Sequence, residues 1–538
     1  MNAAEAVRCA KAQYPKNVKK QIKYGTAGFR SNSDELDFIM YRMGLLAVLR
    51  AKDTSAVIGV MITASHNPLP DNGVKLVDPQ GEMLAPAWEV YATTLVNASD
   101  EGISDVLEEI VKDAGIDKNK KALVFVGCDT RPSSKRLRDA VVAGVTVLGG
   151  QFQDFGIVST PILHYVVTCH NDDGKYGEPT EKGYYQKIAQ AFVKLRSSGI
   201  SNGNYDPVIL FDGANGVGAL AMAEFLNYME GSLHTTIFNK GEGVLNHMCG
   251  ADYVKVQQKW PEGVPKTQNV RCVSMDGDAD RVIYSFLDSS GKFHMLDGDK
   301  IATLVAGYLQ ELVQGSGLNL KLGLVQTAYA NGASTAYINE KLGVPVACAK
   351  TGVKHLHHMA LQFDIGVYFE ANGHGTVIFS QTARKAIRAA AQAKNNKAEK
   401  LSQILDVINE TVGDAISDML LVESILHARG WSVSDWNDAY TDLPNRQMKV
   451  TVADRAVITT TDAERKCVTP DGLQSTIDKI VSGFSKGRSF VRPSGTEDIV
   501  RIYAEASEQE KADSLAVQVA CAVHELAGGV GEKPKSVC

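Results

Sequence analysis

The chain has 538 residues, 44% hydrophobic and 22% charged, with 56 Lys and Arg against 62 Asp and Glu. That composition is ordinary for a soluble globular protein, and the formal net charge of −6 gives no general affinity for nucleic acid or an anionic membrane. At roughly 150 residues per domain the length suggests three or four domains, and nine cysteines without a CxxC pair fit reduced thiols in a cytoplasmic protein.

In chain order, MNAAEAVRCAKAQYPKNVKK lacks the apolar core of a signal peptide and reads as a short amphipathic helix ending near Pro15. Strand-length apolar runs follow: SAVIGVMI (55–62), ALVFVGCD (122–129), PVILFD (207–212), LGLVQT (322–327) and DIGVYFE (364–370). Helix-period segments such as SSKRLRDAVVAGVTVLG and GASTAYINEKLG come between them. Such alternation predicts an α/β protein with mixed or parallel sheets covered by helices. Turn-rich stretches at 170–183 and 197–207, a hairpin at 287–299 and a connector near 430–445 suggest boundaries. They divide the chain into four segments, 1–175, 176–290, 291–430 and 431–538, the last a smaller α+β pattern. The basic, alanine-rich stretch 383–400 reads as a solvated helix and the tail GGVGEKPKSVC as frayed. No run is long and apolar enough to span a bilayer.

Several short runs carry chemistry. In SMDGDADRV (274–282), Asp276, Asp278 and Asp280 alternate, so an extended backbone would point all three carboxylates one way. Three such charges repel unless a cation sits among them, and oxygen-only ligands favour a hard cation such as Mg²⁺. A calcium-binding EF-hand loop is excluded, because Arg281 and Leu287 occupy the slots for its Gly and its bidentate Glu. In TASHNP (63–68), Ser65 is either a turn residue or a nucleophile held up for attack. FVRPSGTEDIVR (490–501) offers Arg492, Ser494, Gly495, Thr496 and Arg501, the hydroxyls, backbone N–H groups and guanidinia that a phosphate needs; read alone, it is equally a hairpin turn. FEANGHGT (369–376) alternates Glu370, Asn372 and His374, which suits a polyhydroxylated ligand or a solvated glycine-rich hairpin. In TGVKHLHH (351–358), Lys354 is the functional candidate rather than the three histidines. KYGTAGFR (23–30) could bring Arg30 close to a ligand, though by itself it reads as an entry strand. FDGANGVGAL (211–220) lacks the dinucleotide spacing, and no GxxxxGK[ST] phosphate loop is present.

Together, TASHNP, DGDADR, EANGHGT and RPSGTED, with GTAGFR, CDTRPSS (128–134) and STPIL (159–163), resemble the α-D-phosphohexomutase family over nearly the whole chain. QTAYANGAST, FEANGHGT and YTDLPNRQMKVTVADR most resemble its eukaryotic branch acting on N-acetylglucosamine phosphates. The resemblance implies a heart-shaped four-domain architecture: three mixed α/β domains, a C-terminal α+β domain of TATA-binding-protein type, and a central cleft receiving one motif from each. The four segments would then be phosphoserine-loop, metal-binding, sugar-binding and phosphate-binding domains.

It also implies reversible interconversion of N-acetylglucosamine 6-phosphate and 1-phosphate through a phosphoserine at Ser65 and a sugar 1,6-bisphosphate, supplying UDP-N-acetylglucosamine synthesis. By resemblance, Mg²⁺ is held by Ser65, Asp276, Asp278 and Asp280. Arg30 and Arg281 add positive charge, and Lys75 assisted by His66 is the base, which requires a depressed lysine pKa. Glu370, Asn372, Gly373, His374 and Lys354 bind the sugar. Arg492, Ser494, Gly495, Thr496 and Arg501 grip the unreacting phosphate. The expected partner is a small sugar phosphate, not nucleic acid or membrane, and the expected state is a monomer. The rivals are a phosphoglucomutase or phosphomannomutase and, more remotely, a metal-dependent serine phosphohydrolase.

Overall fold

Strand and helix alternate along this computed structural model, which describes residues 2–25, 27–197, 203–494 and 498–534. The chain forms two compact units, one of residues 1–297, 372–377 and 391–434, the other of 298–371, 378–390 and 435–538.

The first unit is built on two five-stranded sheets. In the first, the order is Phe29–Asn32, Asp71–Val77, Ile58–Ile62, Leu123–Cys128, Gln151–Ile157. Ile58–Ile62 pairs antiparallel with Asp71–Val77 and parallel with Leu123–Cys128. Every residue of Ile58–Ile62 is buried, as a strand covered on both faces requires. Fourteen of the 18 residues of helix Asp37–Thr54 are buried, so this helix lies inside the core rather than on its surface. The second sheet runs Phe293–Leu296, Val282–Leu287, Arg271–Met275, Val208–Asp212, His234–Phe238, mixing parallel and antiparallel pairs. Ser65 follows the end of Ile58–Ile62 and Asp276 follows Arg271–Met275, so both motifs stand at strand C-terminal ends, where open α/β sheets place ligands.

The second unit contains a parallel set, with Leu322–Thr327 between Val346–Ala349 and Ile365–Phe369. It also contains an antiparallel sheet in which Ile499–Glu505 lies between Asn445–Thr451 and Arg488–Pro493. Helices Leu473–Val481 and Gln509–Leu526 share an apolar core with that sheet.

Three local expectations need correction. GASTAYINEKLG is α-helical only over Gly332–Tyr337 and continues as a π-turn at Ile338–Leu342. The connector near 430–445 contains a short helix, Val433–Asn437, whose Trp436 is buried. The tail is not frayed at its start: Gly528 O accepts from Ala453 N and Val530 N donates to Thr451 O.

Candidate active site

Three aspartates converge in the first unit. Asp276, Asp278 and Asp280 are buried, and one carboxylate oxygen from each lies within 4.8 Å of the others. The convergence comes from a tight turn, not from the extended alternation expected. Ala279 adopts φ +60°, and Asp276 Oδ1 accepts from Asp280 N (3.1 Å) and Arg281 N (3.2 Å). Four successive carbonyls of this turn are each bound by a different segment. Gly277 O accepts from Val217 N, Asp278 O from Thr160 N and Ala279 O from Ala415 N, each at 3.1 Å. Asp280 O accepts from His374 Nδ1 at 2.6 Å. With its backbone held outward, the turn projects its carboxylates inward.

Ser65 faces this trio. Its Oγ donates to Asp276 Oδ2 at 2.6 Å, and the residue is wholly buried at φ +52°. The serine loop and the aspartate turn meet backbone to backbone: a Cβ on Gly277 would stand 2.7 Å from Ser65 O. Lys75 Nζ lies 3.2 Å from both Asp278 Oδ2 and Asp280 Oδ2, and Thr160 Oγ1 donates to Asp278 Oδ2 at 2.7 Å. Arg281 Nε is 3.9 Å from Asp276 Oδ2 and 3.8 Å from Asp280 Oδ1. Arg30 Nε is buried without a hydrogen-bond partner.

The electrostatics follow from that crowding. Burial, then the charges of Asp280 and Asp278, push the Asp276 carboxyl well above the usual range. Burial would raise Asp278 too, but Lys75, Thr160 and Arg30 outweigh it and hold Asp278 low. Arg281, then burial, then Arg30 press the His66 imidazole down to about 2, so it stays neutral. A field that keeps an imidazole uncharged favours an anion. Lys75 departs from expectation: burial lowers its pKa, but Asp278 and Asp280 more than offset this, so it is raised rather than depressed.

The donor set fits a divalent cation. Asp278 Oδ1 and Asp280 Oδ1 are buried without hydrogen-bond partners, which is costly unless something positive meets them. Among the described residues this trio is the only such cluster of His, Cys, Asp or Glu, and the histidines at 355–358 form none. His357 Nδ1 instead faces Tyr368 Oη at 3.1 Å.

Asn372, Gly373 and His374 belong to the first unit with the aspartates. Gly373 has φ +86°, and a Cβ there would lie 2.0 Å from Val282 O. His374 is buried beneath Asp280, its Nδ1 also 3.5 Å from Asp280 Oδ1.

The second unit holds the other candidates. Glu370 Oε1 accepts from Gly352 N at 3.0 Å, and Lys354 lies in the first turn of the helix that follows, Val353–Ala360. Arg492 Nε donates to Tyr329 Oη at 3.1 Å, and its Nη1 lies 3.5 Å from Glu464 Oε1. Arg492, Arg501 and Lys449 are cross-strand neighbours in one row. Like charges directly opposite destabilise a sheet, and an anion offsets this. Ser494 is buried, its N–H bonded to Ile499 O. Gly495 and Thr496 lie outside the described residues.

Sequence reasoning gave no role to Thr63, Asp129, Arg131, Thr160 or Asn246, all of which touch the serine loop or the aspartate turn. CDTRPSS and STPIL contain Asp129, Arg131 and Thr160 but carry no local mark of what each side chain bonds, and Thr63 and Asn246 lie in neither.

A serine hydroxyl bonded to a buried carboxylate trio, with Lys75, Arg30 and Arg281 around it, is the arrangement of a cation-assisted phosphoryl-transfer centre. Family models match most of the chain. Those for phosphoglucomutase/phosphomannomutase α/β/α domain I match residues 45–101 and 96–177, and that for its C-terminal domain matches 448–522. Those for phosphoacetylglucosamine mutase AMG1 domains II and III match 177–283 and 297–431. Phosphoacetylglucosamine mutase of Sus scrofa is 55% identical over 519 residues, 96% of each chain. The structure of Aspergillus fumigatus N-acetylphosphoglucosamine mutase in complex with GlcNAc-6P and magnesium superposes with a TM-score of 0.92 at 48% identity, covering 97% of this chain and 99% of that one. A serine-to-alanine variant of that enzyme in complex with glucose 1,6-bisphosphate gives 0.92 and 48%, over 98% and 100%. The chain belongs to the phosphoacetylglucosamine mutase family of the α-D-phosphohexomutases.

Proposed function

We propose that the chain interconverts N-acetylglucosamine 6-phosphate and N-acetylglucosamine 1-phosphate, with Ser65 carrying the phosphoryl group. The observation that carries this reading is the 2.6 Å hydrogen bond from Ser65 Oγ to one of three buried, converging aspartates. Relatives of this name align end to end, and the solved structures include complexes with GlcNAc-6P and magnesium and with a sugar 1,6-bisphosphate.

In the forward step the free hydroxyl of the sugar phosphate attacks the phosphorus of phosphoSer65. A new P–O bond forms to the sugar, the P–Oγ bond breaks, and the acceptor's proton leaves to a base. The bisphosphate then reorients, and Ser65 takes the other phosphoryl group by the reverse step. Arg30 and Arg281 would face the transferring group, and His66, held neutral, would assist Lys75 by hydrogen bonding rather than by taking up the proton. Asp276, Asp278 and Asp280, with the Ser65 phosphate, would hold Mg²⁺, which when bound offsets phosphoryl charge. Lys75 is the candidate base. Its ammonium is stabilised here by Asp278 and Asp280, so engaging those carboxylates elsewhere favours the free amine it needs.

Glu370, Asn372, Gly373, His374 and Lys354 form the sugar-reading set in this proposal. Arg492, Ser494, Gly495, Thr496 and Arg501 form the distal-phosphate set, supported by the cationic row of Arg492, Arg501 and Lys449. The boundaries near 175, 290 and 430 belong to the same reading. A monomer belongs to the same proposal, and sedimentation checks it. No helix among the described residues is long and apolar enough to cross a membrane. A cytoplasmic location is proposed because the eight described cysteines are all free.

The test is a phosphorus NMR time course with Mg²⁺ and a trace of sugar bisphosphate. The 1-phosphates of N-acetylglucosamine, glucose, glucosamine and mannose are compared. Fast conversion of the acetylated sugar without free phosphate is expected. Preference for glucose or mannose would assign a different hexose, and free phosphate as main product would make the chain a phosphohydrolase.

A further inference from the structure

The aspartate trio explains what Ser65 faces but not what holds it there. A non-glycine residue in the left-handed region costs about 1–2 kcal/mol, and such strain persists only where the surroundings impose it. At Ser65, φ +52°, both ends of the residue are tied to one buried ion pair. Its N–H donates to Thr63 Oγ1 at 2.9 Å, and that hydroxyl donates to Asp129 Oδ2 at 2.8 Å. Its C=O accepts from Arg131 Nη2 at 3.2 Å, while Arg131 Nη1 pairs with the same Asp129 Oδ2 at 2.7 Å. The Asp129 and Arg131 side chains have no solvent exposure.

The rest of the arginine serves the same loop: Nη2 donates to Asn67 O and Nε to Asp71 O, both at 2.7 Å. Asn246 grips the loop from another segment, its Nδ2 reaching Ser65 O at 2.9 Å and Asn67 O at 3.2 Å. Asp129 Oδ1 is filled by Ser134 Oγ and Arg131 N. These side chains spend their hydrogen bonds on backbone and on one another, so the network shapes the loop rather than reading a ligand. A buried ion pair adds little stability over a well-packed apolar replacement. What it supplies here is one defined loop conformation.

We infer that Thr63, Asp129, Arg131 and Asn246 are positioning residues that hold Ser65 in its left-handed conformation, with Oγ directed at Asp276. The inference rests on Ser65 being the phosphoryl carrier. Misplacing a reacting oxygen by about 1 Å can cost about 10²-fold in rate, so the effect belongs in kcat rather than in substrate binding.

The test compares Thr63→Val, which keeps shape and removes the hydroxyl, with Thr63→Ser, which restores it, and adds Asn246→Leu from the other side. Arg131→Met is avoided because it strands the Asp129 charge. Steady-state kinetics on N-acetylglucosamine 1-phosphate are paired with single-turnover transfer from the phosphoenzyme. Thr63→Val and Asn246→Leu are expected to lose about 10- to 100-fold in kcat and in the transfer rate, with KM nearly unchanged. Thr63→Ser is expected to stay near wild type. Wild-type kcat in both Thr63→Val and Asn246→Leu overturns the inference, as does a Thr63→Val loss that Thr63→Ser does not rescue. Should Thr63→Val not fold, Asn246→Leu decides alone. Ser65→Ala is run alongside: turnover there overturns the phosphoserine reading itself, a result distinct from failure of the positioning network.

Discussion

Ser65 Oγ and Asp276 Oδ2 lie 2.6 Å apart although 211 residues of chain separate them. The bond joins the loop after one sheet's strand to the turn after another's, so the nucleophile and its acidic partner are set by tertiary packing. Ser65→Ala removes the only side-chain atom that can carry the phosphoryl group. It is expected to abolish both mutase turnover and phosphoenzyme, read by intact mass after incubation with sugar bisphosphate. Alanine meets the same left-handed backbone cost as serine, so the folded protein should persist. Substantial turnover in that variant would remove Ser65 from the chemistry.

The carboxylate trio predicts a protein stabilised by its cation. Binding to the folded state alone contributes about 2.7 kcal/mol when free Mg²⁺ is 100 times its dissociation constant. Thermal melts with chelator and with Mg²⁺ should therefore separate, and Asp278→Asn should narrow the gap. Chelated protein should also fail to transfer phosphoryl groups. Identical melts at all Mg²⁺ concentrations would argue against a cation held by these aspartates.

His164, on the helix Thr160–Asn171, supplies a pH prediction. Its Nδ1 faces Gly81 O at 2.6 Å, so Nδ1 carries the proton, while Nε2 is buried without a partner. Burial, then the Lys75 charge, depress its pKa from 6.5 to about 3. Unfolded, the imidazole takes a proton below its ordinary pKa; folded, it does not. The unfolded state therefore binds more protons throughout that interval. The contribution is intact above the unfolded pKa and is lost as pH falls, by about 1.4 kcal/mol per pH unit. Urea midpoints at neutral pH and at mildly acidic pH should fall more steeply for wild type than for His164→Gln. Parallel pH profiles would show that His164 is not held neutral.

Glu464 sits where an anion would be welcome. Its hairpin tip holds Asp462, Ala463 and Glu464 at φ 53°, 53° and 68°, three successive left-handed residues. The carboxylate accepts from Thr351 N at 2.9 Å and Thr351 Oγ1 at 2.5 Å, besides facing Arg492. If Arg492 grips the distal phosphate, Glu464 opposes that phosphate's charge while bracing the Thr351 loop. Glu464→Gln keeps an acceptor oxygen for Thr351 and removes the charge, so KM should drop about three- to tenfold. An unchanged or higher KM would mean that Glu464 does not oppose the phosphate.

TASHNP and DGDADR were legible because each packs its reactive groups into a few adjacent residues, where spacing alone suggests chemistry. The trio's convergence was anticipated but its cause was not. An alternating run looks extended on paper, whereas Ala279 at φ +60° and two backbone N–H bonds to Asp276 make it a turn. The supports were invisible for a different reason. Arg131 finds the Ser65 carbonyl across 66 residues and Asn246 across 181, and nothing local marks which buried polar side chain serves which backbone oxygen. Lys75 shows the same limit in its charge. Cationic neighbours suggested a depressed pKa, but the two aspartates closest to it reverse the direction.

Asn372 bears on which sugar is preferred. Its Oδ1 accepts from His374 N at 3.0 Å, which orients the amide within FEANGHGT. The loop cannot easily rearrange around a substitution, because Gly373 packs against Val282 O and His374 is bonded to Asp280 O. Asn372→Ser should thus shorten one side chain without displacing the aspartate turn. If the amide meets the 2-acetamido group, the ratio of kcat/KM for N-acetylglucosamine 1-phosphate over glucose 1-phosphate should fall about tenfold, the worth of roughly one hydrogen bond. Activity on glucose 1-phosphate should hold or rise, which separates lost recognition from general damage. An unchanged ratio would move the basis of acetamido selectivity elsewhere, with Glu370 and Lys354 the next side chains to substitute.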